Sequence, residues 1–159
     1  MVDQSVTIYI DYKSPYAYLA VEPTWTLARD YEITLKWLPY TLDIPDYLGS
    51  AKVDSQGKVV EATRSPHQWR RVRYSYMDVR RYANLRGLTV RGPQKIWDSS
   101  LAAIGLLYAQ KQGKFRDYND KVYELFWRRE LDIEDPLVIK SVLAETHVDV
   151  ADFDVFAAY

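Results

Sequence analysis

The apolar residues follow two patterns, a short β-type beginning and a long helical remainder. Residues 5–12 are β-branched and aromatic, which predicts a first strand. Ser14 and the proline after it predict the start of a helix, because serine is a favoured N-cap and proline a favoured first helical residue. This helix is predicted to end near Tyr31 and to bend at Pro23. Residues 33–39 predict a second strand, so the order indicates a parallel βαβ unit with a right-handed crossover.

The rest of the chain is predicted to be one long loop followed by helices. Residues 41–65 are irregular and predict a surface loop with a turn at residues 54–57. After Pro66 apolar residues recur at helical spacing, at Trp69, Val72, Tyr76, Val79 and Ala83, in a helix that ends at Gly87. Further helices are predicted over residues 98–112 with Asp98 as cap, over residues 115–130, from Pro136, and from Asp149 to Tyr159.

This order of elements leaves a sheet that looks incomplete. Only two strands are convincing, and a two-stranded parallel sheet has two open edges. The chain also stops within a predicted helix. Either further sequence follows or a partner completes the sheet, and we favour the first interpretation. We divide the chain into residues 1–65, an N-terminal βαβ part with its loop, and residues 66–159, an all-helical part.

Charge and composition exclude several classes of function. The 159 residues include 21 basic and 22 acidic side chains, a net charge of -1, which argues against bulk electrostatic capture of nucleic acid or an anionic membrane. The apolar runs are too short to span a bilayer, and the first residues do not resemble a secretory signal, so we expect a cytoplasmic protein. His67 and His147 lie far apart and no cysteine is present, which argues against a metal centre.

Ser14 is the residue we expect to carry chemistry. A helix N-terminus offers unpaired backbone N–H groups and a positive dipole end, and a serine hydroxyl adds a donor. Such a site suits a thiolate, phosphate or carboxylate on a ligand. Because the chain lacks cysteine, any thiol chemistry needs a sulfur that a ligand supplies. Local spacing by itself favours the simpler interpretation that Ser14 only caps its helix.

Arginines and aromatic residues supply further candidates. Eight arginines lie between positions 64 and 91. They suit a ligand carboxylate or, less well, a phosphate backbone, but a solvated helix face with Asp78 paired to Arg81 explains most of them. The chain has 14 tyrosines and 5 tryptophans. Tyr16, Trp37 and Tyr40 are candidates for an aromatic substrate pocket, although core packing is the more common role of such residues.

The stretch from Asp11 to Ala20, DYKSPYAYLA, resembles the opening of the 2-hydroxychromene-2-carboxylate isomerases. These are similar to kappa-class glutathione transferases and belong to the DsbA-like thioredoxin superfamily. Residues 71–87 resemble the first helix of their inserted helical domain. The resemblance implies an α/β fold, a thioredoxin-like domain of DsbA type with an all-helical insertion, whose sheet is incomplete in this chain.

The resemblance also implies glutathione as cofactor and a glutathione-dependent isomerase or transferase that acts on an electrophilic aromatic compound. Ser14 matches the catalytic serine that stabilises the glutathione thiolate. Arg71 stands where many members carry a lysine that contacts glutathione, and Tyr74 is a further predicted glutathione-binding residue. Relatives are often homodimers, which nothing in the spacing tests. The cis-proline segment and the residues that hold the γ-glutamyl group would lie after Tyr159.

Two alternatives stay open. The protein is a non-redox binding module of the same fold if Ser14 acts only as a cap. Nucleic-acid binding through the arginine helix would require a continuous basic face, which the near-neutral charge disfavours. Dithiol oxidoreductase chemistry is excluded for this chain because it has no cysteine.

Overall fold

A parallel βαβ unit opens the chain. The computed structural model describes residues 4–158. Strand β1 (Ser5–Ile10) pairs in parallel with β2 (Thr34–Pro39), from Ser5 opposite Thr34 to Ile10 opposite Pro39. Helix α1 (Pro15–Tyr31) connects them and runs through Pro23. The predicted parallel βαβ order is confirmed, but β1 ends two residues earlier than predicted because the Asp11 carboxylate accepts the backbone N–H of Lys13 and turns the chain.

The predicted loop over residues 41–65 is wrong, since this segment contains three short elements. Helix α2 (Ile44–Leu48) is followed by a hairpin of β3 (Ala51–Val53) and β4 (Val59–Ala62), a second, antiparallel sheet. The predicted turn at residues 54–57 is confirmed, with Asp54 accepting two backbone N–H groups. The hairpin gave no periodic signal because β4 is exposed at every position and buries no apolar face.

Five further helices follow: α3 (Pro66–Leu85), α4 (Ser100–Lys111), α5 (Phe115–Arg128), α6 (Pro136–Glu145) and α7 (Phe153–Ala157). The predicted helices are present, but two starts differ. The Asp98 carboxylate accepts the N–H of Ser100, so Asp98 caps α4 from outside the helix. Helix α7 begins at Phe153, because Asp149 holds a turn through the N–H of Ala151. Its predicted end at Tyr159 lies outside the described residues.

One hydrophobic core joins the two parts of the chain. Trp127, Tyr118 and Tyr123 of α5 are fully buried, and Ile10, Tyr12 and Trp37 of the βαβ unit belong to the same cluster. Helix α4 packs closely on α5 because Gly105 has no Cβ, which would collide with the Tyr118 hydroxyl. The division of the chain at residue 65 stays a prediction. Within residues 4–158, no helix is long and apolar enough to cross a membrane.

Candidate functional site

Ser14 is the N-cap of α1. Its backbone is extended (φ -89°, ψ 112°), and its Oγ accepts the N–H of Ala17 at 3.2 Å. Its own N–H donates to the carbonyl of Asp11 at 2.9 Å. Within the described part of the chain no group accepts the hydroxyl proton of Ser14. The side chain therefore caps the helix through its oxygen and keeps a donor for a ligand.

The turn before Ser14 is held by a buried carboxylate that the sequence analysis missed. Asp11 Oδ1 accepts the N–H of Lys13 at 2.9 Å and the hydroxyl of Ser99 at 2.7 Å. Its Oδ2 accepts the N–H of Leu42 at 2.7 Å. Asp11 thereby ties β1, the segment after β2 and the start of α4 to one point. Because the Ser99 hydroxyl donates to Asp11, the Ser99 side chain does not cap α4.

Lys13 lies beside this carboxylate and is also buried. Its ammonium donates to the carbonyl of Leu42 at 3.0 Å and lies 3.5 Å from Asp11 Oδ2. The side chains of Lys13 and Asp11 are 7% and 1% exposed. Both residues stand in the stretch DYKSPYAYLA, and a charged pair at the end of an apolar strand is the signal that could have drawn attention to them.

A cavity of about 390 Å³ opens beside Ser14. Apolar side chains form much of its wall, among them Leu42, Ile44, Trp69, Trp97 and Phe126. Among the described residues, its charged lining side chains are Lys13, Arg64, Arg71 and Lys95, with no aspartate or glutamate. Lys95 is neutralised by Glu134 at 2.5 Å. The cavity therefore has a positive, mostly apolar interior, which favours an anionic ligand with apolar parts.

Two arginines in this wall lack a carboxylate partner within residues 4–158. Arg64 donates its Nε to the carbonyl of Leu48 at 3.1 Å and lies over the ring of Trp69, 5.1 Å from its centroid. Burial lowers the pKa of Arg64 from its ordinary value. Arg71, in the second turn of α3, is exposed, and its side chain makes no hydrogen bond or ion pair with residues 4–158. The sequence analysis named Arg64 only as one arginine of eight.

Tyr16 also lines the cavity, and it contacts Asp78, which we predicted to pair with Arg81. Its hydroxyl donates to Asp78 at 3.1 Å. The predicted pair of Asp78 and Arg81 is not formed, so that expectation is wrong. Burial and, secondarily, the hydrogen bond to Asp78 raise the pKa of Tyr16. The contact links the first turn of α1 to α3.

The structure brings Ser14, Tyr16 and Arg71 to one cavity, but not the other predicted site residues. Trp37 is 4% exposed and packs against Trp25 in the core. Tyr40 and Tyr74 are 57% and 61% exposed and do not line the cavity. The pitch of α3 turns Tyr74 away from the cavity face that Arg71 and Ser75 occupy.

Histidines and metal-binding groups add nothing to this site. His67, in the first turn of α3, is exposed and is absent from the cavity wall. His147 follows α6 with a positive φ of 63°. Over residues 4–158, no group of three or more histidine, cysteine, aspartate or glutamate side chains could hold a metal ion.

The DSBA-like thioredoxin domain matches this chain over residues 5–158. The chain belongs to this family. A solved structure of 2-hydroxychromene-2-carboxylate isomerase is similar over 98% of this chain and 72% of that chain, with a TM-score of 0.69 and 22% sequence identity. At that identity the similarity shows the fold alone. A search of curated proteins found no match.

The predicted fold class is confirmed by this membership: a DsbA-like thioredoxin fold that is rich in helix, with small, incomplete sheets and a helical insertion. That further sequence follows Tyr159 stays a prediction. The cavity lies at the β1–α1 turn of this fold, where Ser14 caps the first helix.

Proposed function

We propose that this DsbA-like protein is a glutathione-dependent isomerase or transferase that acts on an electrophilic aromatic compound, with Ser14 stabilising the glutathione thiolate. The observation that carries the proposal is the Ser14 hydroxyl: Ser14 lines the cavity, its oxygen caps α1, and its proton has no acceptor among residues 4–158. The absence of cysteine from the sequence supports it, because the sulfur must then come from a ligand.

Ser14 can stabilise an anion in two ways at once. Its O–H donates one hydrogen bond, and hydrogen bonds to charged acceptors are about twice as strong as neutral ones. It also stands at the N-terminus of a helix of 17 residues, where the aligned peptide dipoles favour negative charge. The hydrogen bond that the Ser14 oxygen accepts from the Ala17 N–H holds this oxygen in place, so the donor is positioned before a ligand arrives.

The charges of the cavity fit glutathione, which carries two carboxylates. Arg71 is exposed and unpaired among the described residues, and Arg64 keeps its terminal N–H groups free of carboxylates. Each can hold a ligand carboxylate in a two-pronged hydrogen bond. Glutathione supplies a thiol that, as thiolate, adds to an electrophile and is expelled after isomerisation. This chain's part is to bind it, orient it and hold its sulfur at Ser14.

The apolar wall fits the aromatic part of a substrate. Leu42, Ile44 and Trp69 lie in the same cavity as Ser14. An aromatic ring in such a place gains from removal of its surface from water, at about 25 cal/mol per Å². The fold is shared with 2-hydroxychromene-2-carboxylate isomerase, so 2-hydroxychromene-2-carboxylate is the first substrate to test.

The test compares two capping serines. Ser14 and Ser65 each accept a backbone N–H at the start of a helix, but Ser65 does not line the cavity. We expect Ser14→Ala to lower turnover of 2-hydroxychromene-2-carboxylate with glutathione by roughly 100-fold or more, the effect of removing an anion-stabilising donor. Ser65→Ala loses about 1 kcal/mol of stability and keeps turnover. Unchanged turnover in Ser14→Ala would remove the proposal.

A second function has one observation in its favour. The Ser14 oxygen accepts the Ala17 N–H, which is what a purely structural cap does. On that basis the protein would be a binding module without catalysis. Isothermal calorimetry separates the two, because the module predicts no heat of binding with glutathione at millimolar concentration, whereas the enzyme predicts saturable binding that Ser14→Ala weakens.

A further inference from the structure

Lys13 occupies a position where a lysine is costly. It directly precedes Ser14 and lines the same cavity, yet its side chain is only 7% exposed. Moving an ammonium out of water costs several kcal/mol even after the surroundings relax. An apolar residue would fill this place without that cost. The buried charge therefore calls for a counterpart.

The protein itself supplies only part of that counterpart. The nearest carboxylate oxygen, Asp11 Oδ2, lies 3.5 Å from the ammonium, beyond ordinary hydrogen-bond length, and already accepts the N–H of Leu42 at 2.7 Å. In the part of the chain that the structure describes, the one close acceptor is the neutral carbonyl of Leu42, at 3.0 Å. An ammonium has three N–H donors, so at least one has no partner among residues 4–158.

Other charges near Lys13 do not remove its field from the cavity. Asp98, before α4, is close enough for Lys13 to help lower its pKa, behind its hydrogen bonds to Ser100. The remaining charged lining residues, Arg64, Arg71 and Lys95, are all cations. An anion within the cavity therefore meets Lys13 without a competing carboxylate in the wall.

We propose that the Lys13 ammonium is a second charge-stabilising group, acting with Ser14 to keep the sulfur of a bound thiol anionic. This proposal rests on the proposed function. Ser14 contributes one neutral donor, whereas Lys13 contributes a full positive charge from the neighbouring position of the same wall. On binding, the thiol proton passes to water, and the charge left on sulfur is balanced by the ammonium. Asp11, 3.5 Å from the ammonium, holds Lys13 in position and offsets only part of its charge.

The test asks whether Lys13 responds to the charge on sulfur or only to the ligand's bulk. We would titrate glutathione and S-methylglutathione, whose sulfur cannot ionise, into the wild-type protein and Lys13→Gln at mildly alkaline pH. Glutamine keeps a donor for the Leu42 carbonyl. We expect glutathione affinity to fall roughly tenfold, as for loss of an opposite charge within about 6 Å, while S-methylglutathione affinity stays unchanged. Equal weakening of both compounds, or of neither, overturns the proposal.

A second measurement follows the thiolate directly, through its ultraviolet absorbance in the saturated complex as pH is raised. Lys13→Gln should need a pH roughly one unit higher for the same thiolate fraction, and Lys13→Arg should titrate close to the wild type. Lys52→Gln is the matched control, because it makes the same substitution at an exposed lysine that does not line the cavity. A shift in Lys52→Gln as large as in Lys13→Gln contradicts a specific role for Lys13.

Ser14→Ala decides the matter even if Lys13→Gln does not fold. If this variant alone returns the bound thiol to the titration of free glutathione, the hydroxyl accounts for the whole effect and the Lys13 proposal falls. If part of the effect survives, Lys13 is supported. Failure of the wild type to bind glutathione overturns the proposed function together with this inference, whereas binding that Lys13→Gln leaves intact overturns this inference alone.

Discussion

Two walls of the cavity are built on opposite principles. The turn wall, residues 11–14, is buried except at the half-buried Ser14, and its carboxylate and backbone groups are joined by short hydrogen bonds. The hairpin wall, residues 44–64, takes its lining residues from α2, β3 and Arg64, and β3 pairs with β4, which is exposed at every position. One wall is fixed by a polar network within the core, and the other by a few local turns. A single site can therefore combine one wall that is fixed within the core with a second wall that buries little surface.

The substitution Asp11→Ala tests the turn wall and has the largest expected effect on stability. The change leaves the Lys13 ammonium buried without its carboxylate and three donors without their acceptor. We expect a loss of about 3–5 kcal/mol in the free energy of unfolding, measured by urea denaturation. Asp30→Ala is the control, since Asp30 and its partner Arg29 are 52% and 71% exposed, and such pairs contribute about 1 kcal/mol or less. Similar losses in the two variants would contradict the rigid-wall interpretation.

The hairpin wall depends on one glycine. Gly49 has φ 63° and ψ 176°, a conformation that essentially only glycine adopts, and a Cβ there would lie 3.1 Å from Cα and Cγ of Arg64. We expect Gly49→Ala to destabilise the protein by about 1–3 kcal/mol and to displace Arg64 from the carbonyl of Leu48.

Gly57→Ala sharpens that prediction, because Gly57 also has a positive φ, 82°, but nothing lies within 4 Å of its added Cβ. The difference between the two variants in thermal unfolding reports on the contact with Arg64 together with the glycine-only ψ of 176° at Gly49. If Gly57→Ala is as damaging as Gly49→Ala, backbone strain alone explains both and the hairpin wall does not depend on that contact.

The smallest effect concerns the inner face of α3, which lies between the two walls. Burial raises the pKa of Tyr76 to about 12 from 10.0. Because the folded state holds the phenol proton more tightly than the unfolded chain, this stabilisation is complete below pH 10 and is lost as pH rises towards 12. Between pH 10 and 11, we expect the free energy of unfolding to fall by about 1 kcal/mol less in Tyr76→Phe than in the wild type.

Denaturant titrations of wild type and Tyr76→Phe at the two pH values measure that difference. Tyr118 and Tyr123 are also buried with raised pKa values, so the wild type loses stability in alkali for several reasons. Only the difference between the variants reports on Tyr76. Identical slopes would mean that this face of α3 resembles the exposed hairpin wall.

Sequence reasoning succeeded where local rules and burial agree. Ser14 was found as a cap because the serine–proline pair is a local signal, and the helices of residues 66–158 were found because each has one buried face. It failed for the hairpin, which has no buried face, and for the partner of Asp78, which is Tyr16, 62 positions away. Trp37 was placed beside a ligand, although a tryptophan's apolar ring suits the core equally well.

The sequence by itself determined that Ser14 opens a helix, that no cysteine can act beside it, and that the chain has little net charge. Those properties depend on neighbours in the chain and on composition. Only the tertiary structure decided that Lys13 is buried, that Asp11 gathers donors from three segments, and that Arg64 and Arg71 share a cavity with Ser14. These contacts join residues distant in sequence, and their energies come from removing charges from water, which no local pattern records.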